Sequence, residues 1–134
     1  MTPTPTYRLA VDDHIMIAHS LDDEFFGPAQ QLHGATLHIR AVFHRVGLDR
    51  HGVVLDIGEA SAMLSRVLDP LRHRNLDEHP DFIEKLSTTE VIITYIAQRL
   101  IAELPEGHGL SAVEVEADEN PRARAAVRME LTGR

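Results

Sequence analysis

Apolar and polar positions alternate with a period of two in several stretches of this chain, and recur with a helical period in two others. Tyr7, Leu9 and Val11 alternate with Arg8 and Ala10, which predicts a strand. Asp12-Asp13 interrupts that pattern before His14 to Ala18 resumes it, so a bulge or bend is expected at the two aspartates. Leu21 to Gln31 is polar, contains Gly27-Pro28 and reads as a loop. In the next strand Leu37, Ile39, Ala41 and Phe43 share one face, and Thr36, His38, Arg40 and His44 the other. Gly47 to Gly52 reads as a hairpin-like turn, with Val53 to Ile57 extending the sheet. Ala60, Met63, Leu64, Val67, Leu68 and Leu71 then follow the spacing of an amphipathic helix. Arg72 to Lys85 is polar and loop-like.

Ser87 and Glu90 have the spacing of a capping box for a second helix, with Ile92, Ile96 and Leu100 inward and Pro105 and Gly107 as its stop. Val113, Val115 and Ala117 oppose Glu114 and Glu116, while Ala125, Val127, Met129 and Leu131 oppose Arg124, Arg128 and Glu130. Asp118 to Pro121 reads as the turn between these two strands. The expected architecture is α+β in the order ββααββ: a four-stranded antiparallel sheet with two helices on one face, as one domain over 1–134. Such a sheet leaves two open edges, which favours self-association.

Composition narrows the classes of function. The net charge of −8 argues against nucleic acid or an anionic membrane as partner, since both are bound through basic patches. With no cysteine, disulfides, Cys-based zinc fingers and Cys nucleophiles are excluded. The Thr-Pro alternation from Met1 to Thr6 lacks the basic and apolar regions of a signal peptide, and no apolar run has membrane-spanning length. A cytoplasmic location is expected. Nine histidines bring the possibility of charge changes near neutral pH.

Four segments, in order, carry a resemblance: Ala18-His19-Ser20-Leu21, Leu32-His33-Gly34, Pro70-Leu71-Arg72-His73-Arg74-Asn75-Leu76-Asp77, and Ser87-Thr88-Thr89-Glu90, joined later by Val115-Glu116. With Gly52-Val53-Val54 leading into the first helix, the chain from Leu9 to Glu130 resembles the 6-pyruvoyltetrahydropterin synthase and 6-carboxytetrahydropterin synthase family. The resemblance implies a T-fold, in which three sheets close into a barrel and two trimers form a homohexamer, with active sites between subunits.

The resemblance also marks departures. The family binds zinc through three histidines; His19 and His33 match two of them, and Ala35 stands at the third. A catalytic zinc takes three protein ligands and an open position, so zinc is expected to be absent. His38 points to the opposite strand face; Glu24 or His14 could swing in, but no spacing demands it. The family's reactive Cys is Ala29 here, and its Asp-His pair reads Arg72-His73, so only His73 of the triad matches. The parent lyase-type reaction is expected not to occur. His73 is either a residual acid–base group or a loop residue bracing a turn. His19 and His33 otherwise read as polar residues lining a pocket.

Glu116 matches the family's pterin-binding carboxylate, which accepts hydrogen bonds from the 2-amino and ring N–H groups. Thr88, Thr89 and Glu90 match residues that contribute to that pocket. Glu116 as a solvated strand residue and Glu90 as a helix cap are the bland alternatives, and Ala117 replaces the Thr that follows the family's Glu. Three functions follow: a binding protein for a pterin-like heterocycle without the parent chemistry, a metal-independent enzyme using His73, His19 or His33 on such a substrate, or a structural assembly.

Overall fold

Two long strands joined at one end carry the structure, a computed structural model that describes residues 2–131. The termini of the expected 1–134 domain, Met1 and 132–134, lie outside the described residues. Strand β1 (Thr6–His19) pairs antiparallel with β2 (His33–Val46) from Thr6↔Val46 to His19↔His33 without a shift in register. No bulge occurs at Asp12-Asp13. Each carboxylate finds a cation on its own side of the sheet instead, Asp12 from Arg40 at 3.0 Å and Asp13 from Arg72 at 2.7 Å. The strand therefore passes through both without losing ladder hydrogen bonds.

Strand β3 (Arg74–Asn75) lies parallel to β1, with Ile17↔Arg74 and Ala18↔Asn75 in register. Strands β4 (Ala112–Asn120) and β5 (Ala123–Glu130) complete the order β3-β1-β2-β4-β5. Among the described residues the sheet thus has five strands where the sequence predicts four. A two-residue strand is too short to carry a period, and its placement depends on backbone geometry: His73 adopts φ 57° and donates its N–H to the Met16 carbonyl at 2.7 Å. Val53 to Asp56 does not extend the sheet. Asp49 accepts the His51 and Val53 N–H groups and holds this stretch as a turn.

Helices α1 (Ile57–Leu68) and α2 (Thr89–Glu103) cover one face of the sheet. Asp56 caps α1 by accepting the Glu59 N–H. The cap of α2 is Thr88, whose hydroxyl accepts the Val91 N–H at 3.2 Å, one residue later than the capping box expected at Ser87. Odd-numbered residues of β1, β2, β4 and β5 face the helices. Leu37, Ile39, Phe43, Val113 and Val115 are buried there against Met63, Leu64, Leu68, Ile92, Ile96 and Leu100. This is where most of the apolar area leaves water, and it fixes the register, since a one-residue slip would turn every one of these side chains outward.

The opposite face is polar. Arg40 bridges Asp12 and Glu116, and His44 pairs with Glu114 at 2.9 Å. Among the described residues, β5 and most of β1 have a strand neighbour on one side only. Among the described residues, no helix is long and apolar enough to cross a membrane.

Candidate functional site

The register of the β1–β2 hairpin brings His19 and His33 directly opposite one another at its connected end. Both are odd-numbered and lie on the helix-covered face, just past the end of the hydrophobic core. Their rings meet edge to face with centroids 4.6 Å apart. His19 is 5% exposed. Its Nδ1 lies 2.9 Å from the Ser87 carbonyl oxygen and 3.0 Å from the Ser87 hydroxyl. Since a carbonyl only accepts, Nδ1 carries the proton and Nε2 is an acceptor in the neutral ring. Burial, and next the adjacent His33, hold the His19 ring below the ordinary imidazole range. His33 is arranged alike, with Nδ1 at 2.8 Å from the Gln31 carbonyl oxygen. Nearby, Ser20 donates to Asp77 at 2.6 Å and ties the end of β1 to the following segment.

These imidazoles line a cavity of about 410 Å³ between the hairpin end, the first turn of α2 and the β4–β5 end. The connection read as a loop contains 3-10 turns over Glu24–Gln30, started by Asp23 capping Phe25 N–H and broken at Gly27, whose φ of 54° suits glycine. The Leu21 N–H to Ala29 carbonyl bond (2.9 Å) folds this segment back and places Leu21, Phe26 and Ala29 in the wall. The small side chains of Ala29, Ala123 and Ala125 leave the space open. Thr89 and Glu90 enter from α2, Glu119 and Arg124 from β4 and β5. Thr89 donates its hydroxyl proton to Glu119 Oε1 at 3.0 Å, and Arg124 donates Nε–H to Asp118 at 3.0 Å.

The residues singled out in the sequence divide sharply. His19, His33, Thr89 and Glu90 come together here. Thr88 is adjacent, but its hydroxyl is engaged in capping. Glu116 is elsewhere: strand parity sends it to the bare face of the sheet, where Arg40 donates to it at 3.1 Å. His73 is exposed beside the β1 edge and does not line the cavity. His14 pairs with His38 on the bare face, so neither joins His19 and His33. Residues of the cavity that the sequence did not single out include Glu119, Phe26 and Arg124. Glu119 continues the inward series Val113, Val115, Ala117, a parity signal hidden by reading Asp118 to Pro121 as a turn; β4 in fact runs to Asn120, with an irregularity between Asp118 and Asn120.

The donor set does not suit a catalytic zinc. The two imidazoles have the carbonyl partners that orient metal-binding histidines. Ala35 nevertheless supplies no third ligand, and the described residues contain no group of three or more His, Cys, Asp or Glu placed to hold a metal ion.

Residues 8–130 match the profile of the family described as 6-pyruvoyl tetrahydropterin synthase. Among solved structures, the 6-pyruvoyl tetrahydropterin synthase of Caenorhabditis elegans superposes with a TM-score of 0.82 at 23% identity, covering 97% of this chain and 100% of that one. The Plasmodium vivax 6-pyruvoyl tetrahydropterin synthase gives 0.80 at 19% identity, covering 95% and 99%. An uncharacterised protein of Wolinella succinogenes gives 0.73 at 17% identity, covering 95% and 100%. At these identities the structural likeness speaks for the fold alone. A search of the curated proteins finds no match.

Proposed function

The chain belongs to the 6-pyruvoyl tetrahydropterin synthase family, and from that premise we propose that it binds a pterin-like heterocycle without carrying out the parent synthase reaction. One observation carries the reading: the cavity wall presents a set of unused acceptors. His19 presents Nε2, and Glu119 and Glu90 present carboxylate oxygens, beside Arg124, whose Nε–H goes to Asp118. A flat ligand with a donor-rich 2-amino edge complements such a wall, while Leu21 and Phe26 offer it apolar surface. The parent chemistry lacks its parts, since Ala29 brings no ionisable group, Ala35 no imidazole and Arg72 no carboxylate. On this reading the protein holds no stoichiometric zinc.

The free edges of β1 and β5 support closure with further copies, as a homohexamer of two trimers. A second reading is metal-independent proton transfer on a pterin-like substrate, favoured by the neutral, buried His19 with Nε2 free to accept.

The test is a calorimetric titration of the purified protein with a 2-amino-4-oxopteridine, with zinc per subunit measured on the same sample. Binding without turnover and without zinc supports the first reading. Product from a reduced pterin establishes the second, and absence of any pteridine binding overturns both.

A further inference from the structure

We infer that Glu119 is the residue that reads the donor edge of the ligand in this cavity, a specificity role that rests on the pterin reading above. Strand parity directs Glu116 to the other face of the sheet, away from this cavity, where its Oε1 accepts from Arg40 at 3.1 Å. Glu119 falls on the helix-covered face two residues beyond buried Ala117. The register shifts between Asp118 and Asn120, the kind of irregularity that re-aims a side chain, and Glu119 lies within hydrogen-bond reach of Thr89 at the start of α2.

Three features fit Glu119 to this role. Its Oε1 accepts the Thr89 hydroxyl at 3.0 Å, which fixes the carboxylate plane while Oε2 and the remaining lone pairs stay available. Thr89 begins α2, so the positive end of the helix dipole lies beside the negative charge. In the same cavity His19, nine-tenths buried, keeps Nε2 without a protein partner among the described residues. A planar ligand between them meets a carboxylate on one edge and an imidazole acceptor on the other. Two adjacent N–H donors on a ring match the two oxygens of a carboxylate as a charge-assisted pair. Glu90 also lines the cavity, but no hydrogen bond of its side chain fixes its direction among the described residues.

The experiment compares two probes of nearly equal shape: a 2-amino-4-oxopteridine, and a 2,4-dioxopteridine with a carbonyl where the first has an amino group. The unsubstituted protein should prefer the amino probe, because the carbonyl would face a carboxylate. Glu119→Gln should weaken the amino probe by about ten- to a hundredfold, the range for hydrogen bonds to a charged group. It should also narrow or reverse the preference, since a Gln amide can donate to the carbonyl, an outcome that mere loss of packing would not give. Thr89→Val, which leaves the carboxylate in place but unanchored, should reduce the preference by a smaller factor, and it stands in if Glu119→Gln fails to fold. An unchanged preference in both variants, or its loss in Glu116→Gln instead, overturns the assignment while leaving pterin binding intact. A protein that binds neither probe overturns the pterin reading and the assignment together.

Discussion

Two polar clusters sit on the helix-covered side of the same sheet, and they differ in what remains unused. At Arg72 almost everything is consumed. The guanidinium donates to Asp13 at 2.7 Å, to Asp69 at 2.9 Å and to the His14 carbonyl at 2.9 Å. Its charge is balanced by neighbours from β1 and the end of α1, so the cluster staples the β1 edge to the helix layer and offers a ligand little. At His19 the balance is reversed. One nitrogen of each imidazole is held by a carbonyl, one oxygen of Glu119 by Thr89, and the other half of each group faces open space. A saturated cluster supports the fold. An unsaturated one beside a cavity is where chemistry or binding can occur.

The largest effect should come from completing the unsaturated cluster in a different sense. Ala35 lies two residues from His33 on the same face and opposite Ile17. Ala35→His would add a third imidazole to two already oriented through Nδ1. Zinc affinity should rise by at least about a hundredfold over the unsubstituted protein, as two ligands become the three that a zinc site needs. Metal per subunit after dialysis against zinc checks this. Equal zinc in the two proteins would break the contrast, because the existing pair would then already hold metal. Ala35 is partly buried against the core, so the larger ring should cost about 1–3 kcal/mol of stability.

An intermediate effect is expected at the saturated cluster. Arg72→Ala leaves Asp13, Asp69 and the His14 carbonyl to water. Both members of the Arg72–Asp13 pair retain about a quarter of their side-chain exposure, 27% and 26%, so water recovers part of the loss. Destabilisation of about 2 kcal/mol is expected, above an exposed ion pair and below a fully buried one. The urea midpoint should fall while pteridine affinity stays unchanged. A loss of affinity without loss of stability would mean that the two clusters are coupled.

Parity made the larger part of this arrangement legible. Leu37, Ile39, Ala41 and Phe43, and Val113, Val115 and Ala117, are buried on the side their alternation predicts. The same alternation places Glu116 on the face opposite Val115 and Ala117, where Arg40 donates to it, and so away from His19 and His33. What the pattern could not carry were features set by single contacts across the fold. Arg74–Asn75 pairs with β1 through a left-handed His73, which no period announces. Ser87 and Thr88 are both good helix caps. The choice goes to Thr88, while Ser87 is buried with its hydroxyl beside His19, 68 residues away in sequence. Asp12-Asp13 looked like a break because their cations, Arg40 and Arg72, come from elsewhere in the chain.

The smallest effect is one of slope. Burial by itself raises the Asp13 pKa. It is outweighed by the hydrogen bond from Arg72, the His14 N–H and the nearby positive charges, which together hold the carboxyl below its ordinary value of 3.8. A folded-state pKa below the unfolded one means that the unfolded chain binds the proton more readily. The stabilisation from Asp13 is therefore complete above 3.8 and disappears as pH falls through the lowered folded value. Asp13→Asn should lose about 1 kcal/mol at neutral pH, one modest charged hydrogen bond, and its deficit should shrink as the solution is acidified from about pH 5 to about pH 3. Urea midpoints of the two proteins across that range should converge. Parallel curves would mean that Arg72 acts on Asp13 by shape and packing, and that the cluster closes the β1 edge without drawing on the charge of its carboxylate.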